Sequence, residues 1–159
     1  MALKIITGNL LDMASNGDFD VIVHGCNCQN TMGSGIAKQV KERFPNSWAA
    51  DQQTKKGSIE KLGNWSVNWE QPNPGAFYLV NAYTQYEYNK PGERKQHFNY
   101  TAFALILEKF SLVFKSYRMG FPLIGAGLAG GNRSIILGML EGFSEKMTKD
   151  VIVVEYDGS

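Results

Sequence analysis

The chain has 159 residues, 43% of them hydrophobic and 19% charged, with a formal net charge of +1. That size and composition fit one folded domain over residues 1–159 rather than a disordered segment, and the near-neutral charge argues against duplex nucleic acid as a main partner. No apolar run has the length of a membrane span and the N-terminal residues lack a signal-peptide core, so a cytoplasmic protein without a membrane partner is expected.

Lys4-Ile5-Ile6-Thr7 reads as a strand ended by Gly8-Asn9, and Leu10-Leu11 as the start of a connecting turn. Val21-Ile22-Val23 is apolar on both faces, as a central parallel strand would be. Ile36, Ala37, Val40 and Phe44 recur at helical spacing and stop at Phe44-Pro45, because the residue before proline is pushed out of the α region. A short helix over 47–54 would use Trp48 as its buried contact.

Residues 59–69 and 77–81 read as strands around the turn-rich Glu70-Gln71-Pro72-Asn73-Pro74-Gly75. The alternation of Trp65, Val67 and Trp69 predicts one buried face of an antiparallel or edge element. Residues 83–97 are polar, aromatic and charged and read as an exposed loop beside a site. A helical stripe follows through Tyr100, Phe103, Ala104, Leu107 and Phe110, then a strand over 117–124 interrupted by Gly120 and Pro122. A second stripe runs from Ile135 to Met147, and Val151–Tyr156 is the last strand. This alternation predicts an α/β fold: a three-layer α/β/α sandwich with a mixed, mostly parallel central sheet.

Two tracts carry the functional signal. Gly25 to Ala37 follows a strand and precedes a helix, and Gly125 to Gly131 does the same. Such a loop turns backbone N–H groups inward, and the helix start adds its own unpaired donors, which suits an anion. Ligands of open α/β sheets sit beyond the carboxyl ends of the strands, so Gly8-Asn9, His24–Gln29, Asn81–Gln85 and Gly125–Gly131 should meet at one cleft. Two glycine loops facing each other could grip a diphosphate; read plainly, the same glycines only make turns. Gly33-Ser34-Gly35 lacks the third glycine of G-x-G-x-x-G, since position 38 is Lys, and no phosphate-loop Lys-Ser/Thr motif is present.

His24 stands at a strand end, where it can donate to a phosphate, exchange a proton, or simply hydrogen-bond in the core. Asn27 can hold a sugar hydroxyl, orient a water, or cap its own turn. Tyr156 can wall a base pocket or belong to the core. Cys26 and Cys28, the only cysteines, are too close for a relaxed disulfide, and C-x-C with distant histidines is a poor match to zinc spacing. No metal and no cofactor are expected.

Taken together, residues 4–11, 21–37, the strand ending at Asn81, 121–131 and 151–157 resemble a macrodomain, the family of modules that bind ADP-ribose. His24-Gly25-Cys26-Asn27-Cys28 resembles most the yeast-type ADP-ribose-1''-phosphate phosphatase branch, and less closely the branch that removes ADP-ribose from glutamate. The resemblance implies a hydrolase that converts ADP-ribose-1''-phosphate to ADP-ribose and phosphate. Its alternatives are a non-catalytic ADP-ribose reader and a hydrolase of a macromolecular ADP-ribose linkage, with an ADP-ribosylated macromolecule as partner.

By position, the resemblance puts Gly8, Asn9, Leu10 and Tyr156 at the adenosine end, with Asn9 where many members carry Asp. It puts Cys26 and the first phosphate loop, Gly33-Ser34-Gly35-Ile36, opposite the second, Ile124-Gly125-Ala126-Gly127-Leu128. His24 would act at the 1''-phosphate and Asn27 would place the distal ribose. Ala129 stands where the glutamate branch has Asp, and Ala82-Tyr83 where that branch has a Lys, so its covalent chemistry does not carry over.

Overall fold

The computed structural model describes residues 1–127 and 129–159. Six strands form one sheet in the order β1-β6-β5-β2-β4-β3: β1 Leu3–Gly8, β2 Val21–Asn27, β3 Trp65–Glu70, β4 Phe77–Gln85, β5 Met119–Phe121 and β6 Val151–Tyr156. All neighbours are parallel except β3, which runs antiparallel to β4 at the edge. The helices are α1 Leu10–Ser15, α2 Gly35–Arg43, α3 Pro45–Gln52, α4 Tyr100–Val113 and α5 Arg133–Glu145. Among the described residues no helix is long and apolar enough to cross a membrane.

The pleat of β2 sorts its side chains into two cores. Val21 and Val23 join Val80, Phe103, Phe110 and Leu140 under α4 and α5. Ile22 and Cys26 join Leu10, Val40, Leu79 and Tyr83 under α1, α2 and α3. Burying both faces of a parallel strand is what makes its sequence continuously apolar. Each fully buried Phe or Leu contributes about 1.5–3 kcal/mol by removal from water. The two cores together are the three-layer sandwich expected from the sequence.

Asparagines start three helices. The Oδ1 atoms of Asn9, Asn99 and Asn132 accept the N–H groups of Asp12, Ala102 and Ile135, at 3.0, 2.9 and 3.1 Å. Caps of this kind are worth ~1 kcal/mol each. The first of them turns Leu10-Leu11, expected as a turn, into the short helix α1.

Other boundaries also shift. β2 continues to Asn27 and β4 to Gln85, because their pairing runs past the apolar residues into His24↔Asn81 and Gly25↔Ala82. Tyr83 is thus a buried strand residue, not part of an exposed loop. Residues 59–61 form a turn of 3₁₀-helix instead of a strand, and β5 keeps only three residues of the expected 117–124. Trp48 is only half-buried; Ser47 and Asp51 are the residues that α3 buries. On β3 the alternation is real but its exposure is reversed at the end: Val67 and Trp69 are 42% and 46% exposed. The opposite, polar face is tied to α3, with Ser47 Oγ donating to Glu70 Oε2 at 2.6 Å.

Candidate functional site

The carboxyl ends of β1, β6, β5, β2 and β4 lie along one edge of the sheet because these strands are parallel. A cleft runs along that edge in two parts, of about 560 Å³ and about 430 Å³, which share Gly35, Ile36, Pro122, Leu123 and Gly127 as a wall. The smaller part is bordered by Asn9, Leu10, Val154 and Tyr156. The larger part is bordered by Gly25, Cys26, Asn27, Thr84, Gln85 and Gly125. Four strand-end segments therefore do converge, as their positions in an open sheet require.

The shared wall contains the start of α2. Ser34, its N-cap, makes no side-chain cap bond, which leaves the first-turn N–H groups without a side-chain acceptor, and Gly35, Ile36 and Ala37 all border the larger part of the cleft. A helix start of this kind suits an anion through backbone groups alone. Gly35 takes φ +58°, a left-handed conformation that L side chains seldom adopt.

The loop over 28–34 is held by polar side chains. Asn27 Oδ1 accepts from the N–H of Gln29 at 2.9 Å and of Thr31 at 3.3 Å, and its Nδ2 donates to the Thr31 carbonyl at 2.9 Å. Asn27 borders the cleft, and these three bonds are those of the plain capping role. Lys61 Nζ donates to the Cys28 carbonyl at 3.2 Å and also to Asn30 Oδ1. Gln52 Nε2 donates to the Asn30 carbonyl at 2.9 Å.

The second loop is held by main-chain bonds and close packing. The N–H of Gly131 donates to the Gly125 carbonyl at 2.8 Å, and those of His97 and Phe98 to the Ala129 carbonyl at 2.9 and 3.1 Å. Gly125 takes φ +76°, and a Cβ there would collide with the Phe98 ring. A Cβ on Gly131 would lie 2.7 Å from the Gly125 carbonyl oxygen. Leu128, expected in this loop, lies outside the described residues.

His24 is placed elsewhere. It is 2% exposed and does not border the cleft. Its Nε2 pairs with Asn81 Oδ1 at 2.6 Å, and Asn81 Nδ2 donates onward to the Ser47 carbonyl at 3.0 Å and to Ser66 Oγ at 3.1 Å. Burial holds the imidazole at about 4, against a smaller upward pull from the Asn81 bond. It is therefore neutral near pH 7 and closed into the α3 side of the sheet. The expected contact with a 1''-phosphate does not fit this placement, because the pleat sends position 24 to the face opposite Gly25.

The remaining expectations divide. Asn9, Leu10, Ile36 and Tyr156 meet at the smaller part of the cleft, with Tyr156 59% exposed. Asn9 Oδ1 is spent on capping α1, and its Nδ2 donates to the Ser159 carbonyl at 3.3 Å, which also accepts from the Tyr156 hydroxyl. Cys26, Asn27, Gly33, Ser34, Ile124, Gly125 and Gly127 meet at the larger part. Gly8 and Ala126 do not border it; the Gly8 carbonyl accepts from the N–H of Asp157 at 3.0 Å. Burial raises the Cys26 thiol well above its ordinary range, with nearby Asp51 adding to the effect, so it is no thiolate nucleophile. Thr84, Gln85 and Tyr88 also border the larger part. Thr84 and Gln85 lie within one of the four strand-end segments of the sequence, but a lone Thr and Gln carry no motif to single them out.

No protein-family model matches the chain. The chain is 36% identical over 164 aligned positions to an "Uncharacterized 17.5 kDa protein in tk-vs intergenic region" of Enterobacteria phage T4, an alignment covering 99% of this chain and 98% of that one. Among solved structures it superposes on the macrodomain of Thermus aquaticus DarG with a TM-score of 0.71 at 20% identity, covering 96% of this chain and 97% of that one. It superposes on Thermosipho africanus DarTG in complex with ADP-ribose with a TM-score of 0.74 at 15% identity, covering 98% of this chain and 42% of that one. The chain thus belongs to the family of the phage T4 tk–vs intergenic protein, and its fold is that of a macrodomain.

Proposed function

We propose that the protein binds ADP-ribose in the strand-end cleft and that its natural ligand carries ADP-ribose on a larger molecule. The observation that supports this most is the shape of the cleft. An apolar-walled part beside Leu10 and Tyr156 suits an adenosine. The start of α2 faces the Gly125–Gly127 loop across a shared wall and suits a diphosphate. A part bordered by uncharged Asn27, Thr84 and Gln85 suits a second ribose. The Thermosipho africanus structure, with the same fold, is a complex with ADP-ribose.

Among the described residues bordering the larger part there is no carboxylate, histidine, lysine or arginine. This favours recognition over acid–base turnover, since a general acid or base must come within hydrogen-bond reach of the reacting atoms. Hydrolysis of ADP-ribose-1''-phosphate, the activity implied by the tract around His24, would have to proceed without that imidazole, through oriented backbone N–H groups and water.

The test is calorimetric titration with ADP-ribose beside two turnover assays on the same protein. One follows phosphate release from ADP-ribose-1''-phosphate, the other ADP-ribose release from ADP-ribosylated protein. Binding without phosphate release is the expected result. Absence of ADP-ribose binding overturns the reading. Phosphate release that survives in His24→Ala restores the phosphatase with a different set of groups.

A further inference from the structure

Thr84 stands at the C-terminal end of β4 with its backbone fixed, its carbonyl accepting from the N–H of Asn99 at 2.8 Å. The residue is 0% exposed, and its Oγ1 has no hydrogen-bond partner among the described residues. A buried hydroxyl without a partner is costly and calls for a reason, because nearly all buried polar groups in native proteins are paired. This one belongs to a residue bordering the larger part of the cleft.

The neighbours of the hydroxyl are as specific. A Cβ on Gly25 would lie 2.9 Å from Thr84 Oγ1 and 3.1 Å from Ile124 Cγ1. Glycine at 25 thus keeps the space beside the hydroxyl clear of a side chain. The neighbouring amides already have partners of their own: that of Asn27 holds the 28–31 turn, and one N–H of Gln85 Nε2 donates to the Glu87 carbonyl at 2.7 Å. A hydroxyl both donates and accepts, so it matches another hydroxyl better than it matches an anion.

We infer that Thr84 is a specificity-determining residue of the cleft: its hydroxyl, next to Gly25, hydrogen-bonds a hydroxyl of the sugar beyond the diphosphate. The cleft then separates a nucleoside diphosphate that carries a second sugar from one that does not. The inference rests on the ADP-ribose reading above. A site built to pair a ligand hydroxyl rejects the analogue that lacks it, because its own polar group is left unpaired.

The experiment titrates ADP-ribose and ADP into the wild-type protein, Thr84→Val and Thr84→Ser, with thermal melting of each protein alone. Valine has the shape of threonine without the hydroxyl. Thr84→Val is expected to weaken ADP-ribose by about tenfold, the size of one neutral hydrogen bond, while ADP stays within about twofold. Thr84→Ser keeps the hydroxyl and should stay within about threefold of wild type for ADP-ribose. The melting temperature of Thr84→Val should hold or rise by a few degrees, since a buried unpaired hydroxyl is removed. If valine is not accommodated, Thr84→Ala removes the same hydroxyl in less space and is read the same way.

Unchanged ADP-ribose affinity in Thr84→Val overturns the inference. So does an equal loss for both ligands, which marks a structural role, or a serine variant as weak as the valine one. Wild type that binds ADP as tightly as ADP-ribose overturns the Thr84 role and leaves a nucleotide site standing. Wild type that binds neither overturns the ADP-ribose reading itself, and the Thr84 role with it.

Discussion

The two loops that face each other across the cleft are fixed by opposite means. The first, over 28–34, is tied by side chains: Asn27, Asn30, Gln52 and Lys61 hold its carbonyl and amide groups. The buried carboxyl of Asp51 accepts from the same Gln52 Nε2, and the buried His24 is linked through Asn81 to Ser47 of α3. The second, over 122–127 and 129–131, is tied by its own main chain and by glycines packed against Phe98 and against one another. A polar-pinned loop should tolerate small substitutions and respond to pH. A backbone-packed loop should tolerate no added atom at its contact points and be indifferent to pH.

The largest effect is expected at Gly125→Ala. The substitution meets both an unfavourable φ and the Phe98 ring, and should destabilise by about 3 kcal/mol or more and abolish ADP-ribose binding. Urea denaturation and calorimetry measure the two losses. A folded, binding-competent Gly125→Ala would show that the second loop is not packed as described.

His24 comes next and concerns pH. Its folded-state value of about 4 lies below the unfolded value near 6.5. The unfolded chain therefore binds the extra proton first. The contribution is fully present above pH 6.5, is lost as pH falls from about 6.5 to 4, and amounts to about 3 kcal/mol. Burial also pushes the Asp51 carboxyl up, against the hydrogen bond it receives from Tyr83 and the Lys61 charge. That group favours the folded state at low pH and loses its stabilisation as pH rises through its raised value, so the two partly offset. The measurement is the difference in denaturation free energy between wild type and His24→Gln across pH 4 to 7. A difference that does not change with pH would mean that His24 is not held neutral, and ADP-ribose affinity at pH 7 should be the same in both proteins.

Asn27→Ala removes the three bonds that shape the first loop and should cost about 1–3 kcal/mol, with ADP-ribose affinity down by about tenfold. A loss of affinity with no loss of stability would instead point to direct ligand contact by its amide. Gly127→Ala should do least. A Cβ there meets nothing within 4 Å, so stability should stay within about 0.5 kcal/mol. Because Gly127 borders both parts of the cleft, Gly127→Trp should block binding while the protein still melts as wild type does. The alanine pair at 125 and 127 thus tests the second loop from both sides.

Much of the fold is legible in the sequence. The continuous apolar run of β2 announces a central strand, the Phe44-Pro45 break closes α2 at Arg43, and four strand ends carry the polar and glycine residues that converge. Strand lengths are less legible, since β2 and β4 extend through His24, Asn27 and Thr84, which read locally as loop residues. Backbone pairing across a parallel sheet does not depend on side-chain polarity, so it can carry polar residues deep into the fold once a neighbour is in register.

Periodicity, proline breaks and glycine positions are local properties of the chain, and they suffice to specify the layers, the parallel sheet and the place of the glycine-bearing turn before α2. The task of each polar side chain at the cleft is settled later, when the layers pack. His24 and Gly25 are adjacent in sequence, yet the pleat closes one onto Asn81 and opens the other beside Thr84. Strand alternation says that two neighbours part company. Which of them meets the ligand depends on the helices that cover each face, and those are set by contacts between residues far apart in the chain.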